Sequence, residues 1–300
     1  MKEKVSLLAD AVRAKAPLVH CITNYVTVND CANIVLAFGG SPAMIDDYDE
    51  AADFAAISGS LYVNIGTLSR HQEAGILRAM LAAGAAGALN PKGTNRPSLT
   101  KGKAESASGT ACGGAKVPIV FDPVGCGAIP KRIAALEYLH AVAPVSMIKG
   151  NMGEVMALAG MSAAVKGVDS DGEAEGIVDA ARALAKKYSC VVAATGKSDV
   201  ISDGTRTVRL KNGTELLTRI TGAGCMAGAL CAATAAAASA TGSDMFIAAI
   251  TGISAMSIAG EIAAEKTRLP GSFRTALIDA ISELDGRAIA ARLLLDAGAC

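Results

Sequence analysis

The segment Arg219-Ile220-Thr221-Gly222-Ala223-Gly224-Cys225 carries the strongest chemical signal in the chain. Small residues running into an apolar helix leave the first-turn N–H groups uncovered, which makes an anion hole. A thiol in that turn meets the positive end of the helix dipole, so Cys225 is expected to ionise below the free value of about 8.5. Such a loop suits a phosphate whose charge develops during transfer, with Cys225 beside the attacking group. The plainer alternative is a glycine loop that lets helices pack closely.

Two carboxylates recur in matching places. Phe121-Asp122-Pro123-Val124-Gly125 ends an apolar run with Asp122, and Lys149-Gly150-Asn151-Met152-Gly153-Glu154 puts Glu154 just beyond the next one. Carboxylates at the carboxyl ends of parallel strands face the ligand crevice. Together they could hold a hydrated Mg²⁺ against phosphates, with Lys149 and Arg132 offsetting charge. Asp122 could instead cap a helix, and Asn151 with Glu154 could form a variant of the capping box. Both readings stay open at this point.

Two nucleotide motifs fail on inspection. Thr195-Gly196-Lys197-Ser198 resembles the end of a P-loop, but Val191 stands where its first glycine belongs. Gly222-x-Gly224-x-x-x-Gly228 imitates a dinucleotide fingerprint, yet Ala-rich helical sequence follows it and no strand ending in an acidic residue. A nicotinamide-dependent dehydrogenase is disfavoured.

These residues need a scaffold, and the sequence supplies one. Short apolar runs at 18–22, 60–65, 117–121, 145–148 and 190–194 read as buried parallel strands. Helical stretches near 28–38, 47–57, 70–85, 131–141, 152–159 and 174–187 lie between them. That alternation predicts an α/β fold, a three-layer αβα sandwich around a mostly parallel sheet. Asp203-Gly204 and Asn212-Gly213 separate strand-like pieces at 200–202, 207–210 and 215–217, which suits antiparallel hairpins at a sheet edge. Beyond Gly224 the sequence reads as almost wholly helical to the C-terminus.

Composition narrows the field further. The 300 residues carry 28 basic and 28 acidic side chains, no Trp, and only five Tyr and five Phe. A neutral chain poor in aromatics gives no reason to expect a nucleic-acid partner. Eight cysteines without a C-x-x-C pair, and three histidines, argue against a disulfide framework or a structural zinc site. The uncharged run 220–243 is mostly Ala, Gly and Thr, and lacks the Leu/Ile/Phe density of a membrane span. A reduced, cytoplasmic protein without a membrane partner is expected. The motifs interleave along one sheet, so residues 1–300 read as a single domain. Residues 91–116, with Leu99 as their one large aliphatic, read as a flexible surface insertion.

Taken together, the motifs resemble the hydroxyethylthiazole kinase family of thiamine salvage, within the ribokinase-like superfamily. The resemblance rests on His20-Cys-Ile-Thr-Asn24, Ala32-Asn33, Ser41-Pro-Ala-Met44, Asn64-Ile-Gly-Thr-Leu68 and Asp122-Pro-Val-Gly125. It continues through Gly150-Asn-Met-Gly-Glu154, Thr195-Gly196, Thr221-Gly-Ala-Gly-Cys225 and Gly271-Ser-Phe273, in the family's order. It implies transfer of the ATP γ-phosphate to the hydroxyl of 4-methyl-5-(2-hydroxyethyl)thiazole, with Mg²⁺. It also implies a homotrimer with sites at subunit interfaces. Carried over, Met44, Gly222 and Asn24 bind the thiazole substrate, while Arg132, Thr195, Ala223 and Gly224 bind ATP. Cys225 becomes the catalytic residue, and Asp122 and Glu154 the metal-side carboxylates. Ile129 stands where Thr is usual, and Lys149 where Arg is usual.

Overall fold

Burial along the whole length of β3 (Ser60–Asn64) and β4 (Ile119–Asp122) shows why these runs are uniformly apolar: both faces of the sheet are covered. The computed structural model describes residues 1–85, 117–161 and 170–296. Before β3 come α1 (Lys2–Lys15), β1 (Leu18–Ile22), α2 (Val28–Phe38), β2 (Ser41–Ala43) and α3 (Ala51–Ile57). Helix α4 (Arg70–Ala85) precedes β4. Then follow α5 (Pro130–Val142), β5 (Met147–Asn151), α6 (Met152–Leu158), α7 (Ser170–Tyr188) and β6 (Val191–Thr195). The last part contains β7 (Asp199–Ser202), β8 (Thr207–Leu210), a 3₁₀ turn (Glu215–Arg219), α8 (Ala223–Thr241), α9 (Met245–Lys266), α10 (Pro270–Glu283), α11 (Gly286–Arg292) and β9 (Leu295–Asp296).

The strands form one sheet in the order β2-β1-β3-β4-β5-β6-β7-β8-β9. Neighbours from β2 to β6 pair in parallel, and β7, β8 and β9 add antiparallel. Side-chain alternation sorts the core into two halves. Val19, Cys21, Tyr62, Val120 and Met147 pack toward α1, α2 and α8–α11. Ile22, Leu61, Val63, Phe121 and Ile148 pack toward α3–α7. The result is the three-layer αβα sandwich that the sequence predicts.

Helix α8 lies against the middle of this sheet, and every residue from Cys225 to Ala238 is buried. Its small side chains set the spacing. A Cβ added to Gly228 would meet the Tyr62 hydroxyl at 2.5 Å, so only glycine lets the helix lie down on β3 there. Helices α8 and α9 are long and apolar enough to cross a membrane, but they are interior core helices whose apolar windows are mostly buried within the fold.

Two details depart from expectation. Residues 215–217 form the 3₁₀ turn rather than a strand: the Thr214 hydroxyl accepts from Leu216 N, and the edge of β8 is instead taken by β9. Beyond that turn the described chain is almost wholly helical, as expected, with the two-residue β9 as its exception. Helix α3 begins at Ala51 rather than 47, because the Asp47 carboxylate accepts from Asp49 N and holds a turn there. The expected insertion at 91–116 lies outside the described residues.

Candidate active site

The carboxyl ends of β1, β3, β4 and β5 and the first turn of α8 converge on one crevice. Gly222 is the N-cap of α8, at φ 84°, in the left-handed region that glycine enters without steric cost. A Cβ there would sit 2.8 Å from the Thr27 methyl, so the turn is closed to any larger residue. No side chain caps this helix, and the amides of Ala223, Gly224 and Cys225 are left for an anion.

Two side-chain amides grip the sulfur of Cys225. Asn24 Nδ2 donates to Sγ at 3.2 Å, and Asn64 Nδ2 donates to it at the same distance. Asn64 Nδ2 also lies 3.1 Å from Asp122 Oδ2, and Asn24 Nδ2 donates to Asn64 Oδ1 at 3.0 Å. Beneath them the buried Tyr62 hydroxyl is within donating distance of Asp122 Oδ2 (2.9 Å) and of the Cys225 carbonyl (3.0 Å). Asp122 caps no helix; Ile129 is the N-cap of α5. The capping alternative for Asp122 is closed.

Electrostatics overturn one expectation. Burial pushes the Cys225 thiol above its ordinary value and the Asp122 charge adds to this, against the opposing pull of Thr27, Asn24 and Lys149. The lowered pKa expected at a helix N-terminus is not what this site produces, because desolvation and a neighbouring anion outweigh it. Burial likewise raises Asp122 to about 6, with Lys149 working against it and Glu154 adding to it. Lys149, also sealed from solvent, stands 3.7 Å from Asp122 Oδ2. Burial disfavours its charge, but Asp122 and Glu154 prevail and hold its pKa up. Its ammonium lies under the first turn of α8, where a Cβ on Gly224 would come within 3.2 Å.

Glu154 does what the Asn-x-x-Glu spacing allows. Asn151 Oδ1 accepts from Glu154 N at 2.9 Å and Glu154 Oε2 accepts from Asn151 N at 2.8 Å, a complete capping box. Its other oxygen accepts from Gly125 N at 2.8 Å, fastening the glycine turn after β4 to the end of β5. On the same flank Arg132 donates to the carbonyls of Val124 (2.6 Å) and Gly66 (2.9 Å), two of its five N–H groups. Thr195, at the end of β6, donates to Gly150 O at 3.2 Å. Asp199 accepts from Gly196 N at 2.9 Å and from Ser257 at 3.3 Å, and burial raises it to about 6.

The donor set also bears on a divalent cation. Among the described residues no group of three or more His, Cys, Asp or Glu side chains could enclose an ion. Asp122 Oδ1, however, is buried without a hydrogen-bond partner, while Oδ2 takes Tyr62, Asn64 and Lys149. A cation that keeps several waters and binds phosphate oxygens needs only one or two carboxylates. An orphaned oxygen on Asp122, with Glu154 on the neighbouring turn, fits that requirement.

The structure thus gathers Asn24, Asp122, Gly222, Ala223, Gly224 and Cys225, and places Glu154, Arg132 and Thr195 on the adjoining flank. Met44 stands apart, one residue beyond β2, half-buried against the core on the α8 side. Tyr62 and the function of Asn64 escaped the sequence reading. One signal existed: a tyrosine and an asparagine inside an otherwise apolar buried strand must find partners.

Comparison with known proteins places the chain in a family. The chain matches the hydroxyethylthiazole kinase family over residues 9–90 and 93–287. It is 49% identical over 270 residues to hydroxyethylthiazole kinase 2 of Clostridium botulinum (strain Loch Maree / Type A3), covering 90% of each chain. A solved hydroxyethylthiazole kinase structure from Pyrococcus horikoshii OT3 superposes with a TM-score of 0.79 at 30% identity, covering 98% of each. A ribokinase-like superfamily protein from Enterococcus faecalis shares the fold at a TM-score of 0.58 and 9% identity, covering 94% of each. The fold is ribokinase-like, and the chain belongs to the hydroxyethylthiazole kinase family.

Proposed function

We propose that this crevice transfers the γ-phosphoryl group of ATP to the primary hydroxyl of 4-methyl-5-(2-hydroxyethyl)thiazole, in thiamine salvage. The observation that carries the reading is the Cys225 sulfur, held by Asn24 and Asn64 at the mouth of an uncapped helix beside Asp122. Phosphoryl transfer leaves a protein mainly positioning and electrostatics to supply. The alcohol oxygen forms the new P–O bond, the bond to the bridging oxygen of ADP breaks, and ADP leaves.

The amides of Ala223, Gly224 and Cys225 cradle the moving group, with Gly222 at the hydroxyl and Asn24 on the thiazole side. Met44, apart from this crevice within one protomer, contacts the thiazole only where subunits share the site. Arg132 and Thr195 take the nucleotide. Mg²⁺ held through Asp122 and, by way of water, Glu154 would neutralise charge on the phosphates. Cys225 orients the alcohol, and its ionised fraction accepts the hydroxyl proton at Sγ. Burial keeps that fraction small, so the base contribution sits near about 10²-fold, the low end of the usual range.

A homotrimer with shared sites belongs to the same reading. Its support is Tyr25 and Val26, large side chains left 76% and 55% exposed directly after Asn24. A cytoplasmic location accords with a small-molecule kinase whose two longest apolar helices are interior. A coupled assay for ADP, run with and without hydroxyethylthiazole, tests the activity. Alcohol-dependent ADP release is expected; release that ignores the alcohol overturns it. Cys225→Ala should cut kcat by about 10²-fold while ATP still binds, and unchanged turnover would remove Cys225 from its role.

A further inference from the structure

The buried amide of Asn64 touches both sides of the crevice. Its Nδ2 faces Cys225 Sγ at 3.2 Å and Asp122 Oδ2 at 3.1 Å. Its Oδ1 accepts from Asn24 Nδ2 and from Gly66 N, each at 3.0 Å. Gly66 in turn offers its carbonyl to Arg132 at 2.9 Å. One side chain therefore reaches the sulfur beside the alcohol, the carboxylate on the metal side, and the turn that receives the arginine on the nucleotide side.

An amide suits this place because it has two faces of opposite character. The donor face meets an acceptor sulfur, a carboxylate and the Tyr62 hydroxyl (3.0 Å); the acceptor face meets two N–H groups. Aspartate would keep the acceptor face and put a negative charge against Cys225 and Asp122. Leucine would fill the space and satisfy neither face. Asn64 is only 2% exposed, so a lost hydrogen bond on either face is not readily replaced by solvent.

We infer that Asn64 is a positioning residue for the transfer, which fixes Cys225 and Asp122 in register through its donor face and the Gly66–Arg132 turn through its acceptor face. This rests on the phosphotransfer reading for its purpose but not for its geometry. The two faces can be separated by substitution. Asn64→Asp keeps the acceptor face and replaces the donors with a negative charge, so kcat should fall by about 10²-fold, the cost of a small misplacement of reacting groups, while KM for ATP stays at the wild-type value. Asn64→Leu removes both faces, so kcat should fall and KM for ATP should rise together.

A second measurement needs no turnover. Iodoacetamide labelling of Cys225, followed by peptide mapping at one mildly alkaline pH, should slow by about tenfold in Asn64→Asp, since an anion replaces a donor beside the sulfur. Unchanged labelling, or a kcat equal to wild type in Asn64→Asp, overturns the proposal. A rise in KM for ATP in Asn64→Asp with kcat intact does so too. Should both variants fail to fold, Asn64 serves stability alone and the proposal falls. If the wild-type protein shows no alcohol-dependent ADP release, the functional reading fails, while labelling still decides the role of Asn64.

Discussion

The Lys149 ammonium stands 3.7 Å from Asp122 Oδ2, with both side chains shut off from solvent. Breaking a buried pair from one side leaves the other charge uncompensated, which costs about 3–5 kcal/mol. Lys149→Met should therefore lower stability by about that amount in urea melts, and adding Asp122→Asn should recover part of it. Strictly additive losses in the double variant would show that the pair does not interact. Lys149→Arg keeps the charge and should be the milder change.

Gly222 is the second place where a small substitution has a defined cost. Alanine there must hold φ near 84° and bring Cβ to 2.8 Å from the Thr27 methyl. The left-handed backbone alone costs about 1–2 kcal/mol for an L-residue. Gly222→Ala should lower Tm and reduce kcat, because relief of the contact shifts the amides of the α8 turn. Wild-type kcat in a folded Gly222→Ala protein would show that this turn does not set the transfer geometry.

Glu154 has two duties that can be told apart. Glutamine cannot accept from both Gly125 N and Asn151 N, since one end of its amide is a donor. Glu154→Gln should thus destabilise the protein by about 1–3 kcal/mol through the unsatisfied group. It should also raise the Mg²⁺ concentration needed for half-maximal ADP release. A Mg²⁺ titration identical to wild type would leave Glu154 as a structural cap alone.

Asp199 links pH to stability. Burial raises its pKa from 3.8 to about 6, so the folded protein binds the proton more tightly than the unfolded chain between those values. Stability from this group is greatest at low pH and declines as pH rises to about 6. Asp199→Asn removes the term while keeping an acceptor for Gly196 N. The Tm of Asp199→Asn relative to wild type should therefore climb across that window; a constant difference would contradict the shift.

What could be read from sequence follows from what is local. The strands at 18–22 and 60–65 are legible because short, mostly apolar runs between helical stretches read as buried strands in an α/β chain. The Gly222 turn and the Asn151–Glu154 capping box were legible because their chemistry lies within four residues. The ionisation of Cys225 was not, since it depends on Asp122 and on burial beneath elements distant in the chain. The same holds for Lys149: position 149 suggested a phosphate partner, and only the β4–β5 register brings its side chain to Asp122. The short strand β9 was invisible because two residues carry no periodicity.

The helix that offers its first turn to the substrate is also, with α9, one of the two long core helices of its layer. Cys225 begins an unbroken buried stretch that ends at Ala238. Local openings usually involve segments with few buried contacts, whereas core elements exchange their amides only through global unfolding. The body of the helix behind this site therefore belongs to the slow-exchanging part of the molecule, while the unbonded amides of its first turn stay open to an anion. On heating, turnover should disappear together with the cooperative melt rather than in an earlier, separate loosening of the active site.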